Sequence, residues 1–306
     1  MELYAGFDLG GTQLKYGLID MEGIVLQAGS ADSPKSGDEL FKLIRSIFHD
    51  LKTDNKDRIK AAGFGFPGIF HQREQKIIQS PNYPSLDGKD LVSHLSPFID
   101  IPFFLGNEAN FAAYAEFMLG AGQGATSLVL LTIGTGIGTG IILEGKILQG
   151  ACGFAGELGH VPIHPEGTEC RCGSRGCLET KVSAPKIVRS YRTLSNSAED
   201  IPLQDVFRRA EKGDSAARKA VAQAGYFLGI GLSLAINFLN PDQILLGGGV
   251  MESGDLLISP ALEEARRRSF PASFECCRIE RAKLGNKAGF IGAALWAREV
   301  FRQERR

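Results

Sequence analysis

The chain has 306 residues, 43% apolar and 23% charged, a composition that supports a sizeable buried core and excludes a disordered tail protein. Its 34 lysines and arginines against 35 aspartates and glutamates leave a formal charge of −1, so no global basic field exists to hold nucleic acid or an anionic membrane. The 38 glycines follow no collagen-like period and point to tight turns and backbone-lined sites. The opening MELYAGFDLGGT lacks a basic region followed by a long apolar run, so no secretory signal is expected. The longest weakly polar stretch, Tyr226 to Leu239, is shorter than the ~20 residues that span a bilayer. Six cysteines, three of them between Cys170 and Cys177, read as reduced thiols in a cytoplasmic protein.

In chain order, Leu3 to Leu9 reads as a strand, Gly10-Gly11 as a turn, Leu14 to Asp20 as a second strand and Ile24 to Gly29 as a third. Asp38 to Leu51 carries a helical apolar stripe. Ile59 to Phe66 is a buried strand ending at Pro67-Gly68, and Ile101 to Leu105 is a short one ending at Gly106. Asn107 then stands where a helix cap belongs, with Glu108 in the first turn and Gly120 as the stop. Leu128 to Ile133, the turn Gly134-Thr135-Gly136 and Ile137 to Leu143 repeat the opening strand–turn–strand, which predicts two similar halves facing one another. Asp214-Ser215 caps a long helix that ends near Asn240-Pro241. Gln243 to Leu246 is a strand, Gly247 to Gly249 a turn, and the last helix runs from about Lys287 to Phe301. No low-complexity linker divides the chain, so the boundary between halves is expected in a hinge near residues 105 to 120.

Asp8-Leu9-Gly10-Gly11-Thr12, followed by Lys15, sets a carboxylate at a strand end and then a turn with uncovered backbone N–H groups. Such a turn cradles phosphate oxygens, while the carboxylate holds a hydrated Mg²⁺ and Thr12 or Lys15 touches the phosphates. Gly134-Thr135-Gly136-Ile137-Gly138 is a second turn of this kind. A strand follows it, so it is not a dinucleotide fingerprint. Gly247 to Gly249 offers a flat backbone surface for a purine.

Cys170, Cys172 and Cys177 put three thiols within eight residues, with Gly173 and Gly176 freeing the backbone to wrap an ion. Four-coordinate Zn²⁺ needs one more ligand, which His160 or His164 can supply, and a site closed by four protein ligands is structural. Glu157 precedes this loop and Glu179 follows it. Carboxylates and amides in such loops, with Asn82, Asn107 and Glu108, suit a polyhydroxylated ligand such as a sugar.

These motifs together resemble the ROK family of sugar kinases and sugar-responsive repressors, itself similar in fold to hexokinases and actin. The resemblance implies an α/β fold of two actin/hexokinase-like (ribonuclease H-like) lobes with a structural zinc loop. The small lobe would comprise residues 1–110 with the C-terminal helix, about 287–306, and the large lobe residues 111–286. It implies ATP and Mg²⁺ at Asp8, Gly10, Gly11, Thr12, Lys15, Thr135, Gly136, Gly247 and Gly248. It implies zinc on His160, Cys170, Cys172 and Cys177. A hexose, glucose foremost, would be bound by Gly68, Asn82, Asn107, Glu108, Glu157, His160 and Glu179 in a homodimer. N-acetylglucosamine, mannose and fructose are the other hexoses to consider. The family's kinases usually read Asn-Asp-Ala-Asn where this chain reads Asn107-Glu108-Ala109-Asn110, and that Asp is the base that takes the proton from the sugar hydroxyl. Glu108 is the corresponding catalytic candidate, and glutamate here resembles the repressor branch. With only seven residues ahead of Asp8, the repressors' helix-turn-helix is not expected. The two readings are an ATP-dependent hexokinase and a sugar-binding regulator without DNA binding.

Overall fold

Two runs of β-rich sequence build two five-stranded sheets with the same connectivity. The structure, a computed structural model, describes residues 1–81 and 83–305. β1 (Leu3–Leu9), β2 (Gln13–Ile19) and β3 (Val25–Asp32) form an antiparallel meander. α1 (Gly37–Asn55) then returns the chain to β4 (Ile59–Phe66), parallel to β1. A small hairpin, β5 (Ile69–His71) with β6 (Lys76–Gln79), and α2 (Leu91–Leu95) lead to β7 (Phe103–Asn107), parallel to β4. α3 (Glu108–Leu119) follows without a loop, because Asn107 both ends β7 and caps the helix. Its Oδ1 accepts from the N–H groups of Ala109 at 2.9 Å and Asn110 at 3.1 Å.

The second run repeats the first. β8 (Ser127–Ile133), β9 (Ile137–Leu143) and β10 (Lys146–Ile147) are antiparallel. A long loop and the helices α4 (Glu179–Val182), α5 (Ala184–Ser195), α6 (Leu203–Glu211) and α7 (Ser215–Leu239) precede β11 (Gln243–Gly247), parallel to β8. α8 (Asp255–Arg268) and α9 (Pro271–Cys276) lead to β12 (Arg278–Arg281), parallel to β11, and α10 (Ala288–Gln303) ends the chain. The sheet orders β3-β2-β1-β4-β7 and β10-β9-β8-β11-β12 are one pattern used twice.

α7 has the bounds its Asp214 cap and Asn240-Pro241 stop predict, but it is longer than the weakly polar stretch read from Tyr226. An alanine-rich first half, including Ala216, Ala217, Ala220 and Ala224, extends the helix upstream of Tyr226 to 25 residues. By length and composition alone it could cross a membrane. Here Leu228, Leu232 and Ile236 are buried in the core of the second half.

Between the sheets lie α3 and α10. α10 packs on β1 and β4, α3 packs on β8 and β9, and the helices pack on each other around Ala113, Ile291 and Ala294. Glycines permit this approach: a Cβ at Gly292 would stand 1.7 Å from the Phe111 carbonyl oxygen, and one at Gly140 2.4 Å from that of Ala109. Gly292→Ala should therefore destabilise the fold by at least the ~1–3 kcal/mol typical of overpacking, since the obstructing atom is backbone. A urea midpoint unchanged from the parent would contradict this packing.

Candidate active site and metal loop

The two phosphate-type turns, β1–β2 and β8–β9, face each other across a cleft of about 300 Å³. A Cβ at Gly11 would stand 4.0 Å from Thr135 Oγ1. Gly10, Gly11, Lys15, Thr135, Gly136 and Gly248 form the end of the cleft near these turns, and Gly68, Asn107, Glu108, Glu157, His160 and Glu179 also line it. Not every candidate arrives there. Asn82 lies outside the described residues. Gly247, the last residue of β11, lines with Gly248 an adjoining cavity of about 200 Å³, while Gly248 and Gly249 line the cleft itself. Thr12 lies at a neighbouring opening that shares Gly11 with the cleft.

Two carboxyl groups stand at helix starts. Asp8, half-buried and paired in register with Lys15, abuts the first turn of α10, where a Cβ at Gly289 would stand 2.2 Å from Oδ2. Burial pushes Asp8 up to about 6, with Lys15 pulling the other way. Glu108 occupies the first turn of α3, and its Oε2 is out of water with no hydrogen-bond partner among the described residues. Burial holds Glu108 well above the ordinary carboxylate range, and the charges of Asp8 and Glu157 push the same way. Two carboxylates that repel each other beside uncovered phosphate turns suit a hydrated divalent cation with phosphate oxygens.

The other wall is polar and braced from behind. Burial raises Glu157; His160 lowers it and Glu179 adds to the rise. Glu179 Oε2 accepts from the Ile137 N–H at 2.8 Å, which ties the start of α4 to the start of β9. Asn107 Nδ2 donates to the Gly68 carbonyl at 3.1 Å, so that amide joins the helix cap to the Pro67-Gly68 loop. Gly68 holds φ +100° with Gln79 O in the place of a Cβ, a position only glycine fills without strain.

Four ligand atoms converge behind this wall. The donors of His160, Cys170, Cys172 and Cys177 lie within 4.8 Å of one another. Cys172 and Cys177 sulfurs are 3.7 Å apart, and Cys170 Sγ is 3.6 Å from His160 Nδ1. Zinc bond lengths put tetrahedral S–S and S–N pairs roughly 3.8 and 3.6 Å apart, so the four residues fit Zn²⁺. His164 is placed elsewhere, edge-on to Phe227 at 5.9 Å between ring centroids. With Nδ1 of His160 turned to the sulfurs, the same residue also lines the cleft.

Ser80, Thr132, Thr139 and Asn286 line the cleft as well and were not singled out from sequence, whereas Gly249 belongs to the turn read as a purine surface. Asn286 Oδ1 accepts from Lys15 Nζ at 3.3 Å. Only Gly249 lay in a recognisable motif. The others reach the cleft through tertiary closure, which leaves no local pattern.

The ROK family's sequence model matches residues 4–300. A glucokinase of Halalkalibacterium halodurans is 34% identical, covering 94% of this chain and 93% of its own. A xylose repressor of Bacillus spizizenii is 30% identical over 94% of this chain and 74% of its own length. The crystal structure of a ROK family glucokinase from Streptomyces griseus, in complex with glucose and AMPPNP, superposes with a TM-score of 0.85 at 30% identity, covering 97% of this chain and 99% of that one. The fold is thus the α/β two-lobed, actin/hexokinase-like one.

Two outcomes follow from the site. Purified protein should carry one zinc per chain, and Cys172→Ser should lose both metal and sugar affinity, because the same loop aims Glu157 and Glu179. Metal analysis showing full zinc in that variant would refute the ligand set. Asp8 binds its proton more tightly folded, at about 6, than at the ordinary 3.8. Without nucleotide or divalent cation, its contribution to stability is full below pH ~4 and lost as pH rises through ~6. Urea denaturation should show that decline, and Asp8→Asn should remove it; equal slopes in both proteins would sink the assignment.

Proposed function

We propose that this chain, which belongs to the ROK family, is a sugar kinase that transfers the γ-phosphoryl group of ATP to the 6-hydroxyl of a hexose, glucose foremost. The observation that carries this is Glu108, whose Oε2 has no hydrogen-bond partner among the described residues, in a cleft where two phosphate-type turns face each other. The likeness to the glucokinases above supports it.

In this reading Glu157, His160 and Glu179 hold the sugar hydroxyls, with Gly68 and Asn107 lining the same pocket. Glu108 accepts the proton of the reacting hydroxyl while that oxygen bonds to the γ-phosphorus and ADP departs with the bridging oxygen. Gly10, Gly11, Thr12, Lys15, Thr135 and Gly136 hold the phosphates, and Gly248 with Gly249 backs the adenosine. Asp8 would hold Mg²⁺, which when bound offsets charge on the phosphates. Zn²⁺ on His160, Cys170, Cys172 and Cys177 keeps the sugar wall in place and takes no part in transfer. Residues 1–110 with α10 act as one lobe and residues 111–286 as the other, closing on the sugar in a cytoplasmic homodimer.

A second reading, a sugar-binding regulator, is favoured by glutamate at position 108 and by the likeness to the xylose repressor. The extra methylene displaces a carboxylate by about 1.5 Å, one carbon–carbon bond. A misplacement of ~1 Å can cost on the order of 10²-fold in rate. Phosphoryl transfer nevertheless relies mainly on positioning and charge neutralisation, so a shifted base slows the reaction without stopping it.

Assayed by coupled ADP release over a hexose panel, the natural protein should turn over modestly, and Glu108→Gln should lose at least ~10²-fold while staying folded. Glu108→Asp should equal or exceed the parent. Because Glu108 must be ionised and burial raises its pKa, kcat/KM should fall with acidification through a pKa above the ordinary carboxylate range. Sugar binding without ADP release in both the natural protein and Glu108→Asp would leave the regulator standing.

A further inference from the structure

Thr139, in the middle of β9, lines the cleft, yet it is only 6% exposed and its Oγ1 has no hydrogen-bond partner among the described residues. Strand alternation fixes the way it points. Gly138 and Gly140 face α3, since Cβ atoms there would stand 3.0 Å from Ala109 Cβ and 2.5 Å from Ala113 Cβ. Thr139 therefore points to the opposite side of the sheet, with Ile137 and Ile141. On that side both isoleucines, and Leu131, the cross-strand partner of Thr139, are buried in the core of the second half. Such an apolar row suits valine, which has the shape of threonine without the hydroxyl. A buried hydroxyl left unpaired lowers stability, and packing gives this one no use.

The sugar wall lies on the same side. A Cβ at Gly156 would stand 2.9 Å from the Thr139 carbonyl oxygen and 3.9 Å from Ile141 Cδ1, and one at Gly159 2.9 Å from Ile137 Cβ. These two glycines flank Glu157 and Leu158 and let their loop lie flat on β9. Thr139 is thus beneath the loop that carries Glu157, and both residues line the cleft. Ionised Glu157 and Glu179 can only accept hydrogen bonds, whereas a sugar hydroxyl both donates and accepts. A sugar hydroxyl that gives its hydrogen to a carboxylate still has lone pairs to satisfy. The Thr139 hydroxyl is a neutral donor at that wall.

We infer that Thr139 is a specificity-determining residue, its hydroxyl donating to the ring hydroxyl of the hexose whose hydrogen Glu157 takes. This role rests on the sugar site of the function proposed above and not on phosphoryl transfer. It makes the chain selective for sugars in which that hydroxyl is present and unsubstituted, because an analogue without it leaves Thr139 and Glu157 unpaired in the cleft.

The test changes one group in the protein and one in the sugar. Thr139→Val removes the hydroxyl and keeps the shape, while Thr139→Ser keeps the hydroxyl and removes a methyl. Calorimetry without nucleotide measures glucose and the four monodeoxyglucoses that retain the 6-hydroxyl. Thr139→Val should bind glucose about 10-fold more weakly than the natural chain, and Thr139→Ser should stay within about threefold of it. One deoxy sugar should bind the natural chain and Thr139→Val equally, because there the interaction is already gone, while the other three keep the difference. Thr139→Val should unfold at a urea concentration equal to or above the parent's, since it loses a hydroxyl that folding leaves unpaired. Equal glucose affinity in the natural chain and Thr139→Val would overturn the inference. So would a loss spread evenly over all five sugars or joined to a lower urea midpoint, either of which makes Thr139 a packing residue. Coupled ADP release on the same proteins separates the two levels: its absence removes the kinase and leaves the binding comparison to decide Thr139, whereas absence of any hexose binding removes both.

Discussion

The close crossing of α3 and α10 sets the position of everything in the cleft. Gly292 lets α10 pass against the Phe111 carbonyl, Gly140 lets β9 pass against that of Ala109, and neither approach leaves room for a Cβ. Each helix starts at the cleft, α3 with Glu108 and α10 beside Asp8. The sheet-to-sheet spacing therefore also helps set the spacing of these two carboxyl groups. A fold-level constraint, small residues between layers, thus becomes a chemical one, because helix starts carry partial positive charge that helps hold carboxylates ionised in a low-dielectric cleft.

The metal loop supports the opposite wall by a different means. Residues between Glu157 and Glu179 form little regular structure, a single helical turn at Leu158–His160 and two isolated β-bridges, so a hydrophobic core alone does not hold their carboxylates in place. Four convergent ligands would close the loop around a bound Zn²⁺, and the Glu179 bond to the Ile137 N–H fastens its end to the sheet. A structural ion of this kind would orient the wall's side chains where packing alone leaves them free.

Much of this was legible in sequence because it was local. Strand–turn–strand patterns around Gly10-Gly11 and Gly134-Thr135-Gly136, the Asn107 cap and the Cys170–Cys177 spacing are each contained within a dozen residues, and each appears in the structure at that place. Duplication of the two sheets followed from the repeated turns. The choice of His160 over His164 needed the resemblance, since both are within reach of the thiols and only tertiary packing sends His164 toward Phe227. Gly247 still pairs with Thr132 at the end of β11 and lines an adjoining cavity together with Gly248, so the Gly247–Gly249 turn borders two neighbouring openings. Ser80, Thr139 and Asn286 carry no local signal. They line the cleft because loops from distant parts of the chain close around it, and no periodicity records that event.

Holding carboxyl groups out of water is unfavourable when the site is empty and becomes useful when it is filled. Glu108 is raised chiefly by burial and next by Asp8, so whatever lowers the charge near Asp8 also makes Glu108 easier to ionise. A nucleotide's divalent cation at Asp8 would act in that direction. In the proposed function, Glu108 would then be poorly ionised before the phosphoryl donor arrives and better ionised once donor and cation are seated. The same logic explains why the cleft spends burial on charged groups rather than hydrophobic ones: a solvated carboxylate would be a ready base at all times, but the nearby charges could shift it little, because water screens them.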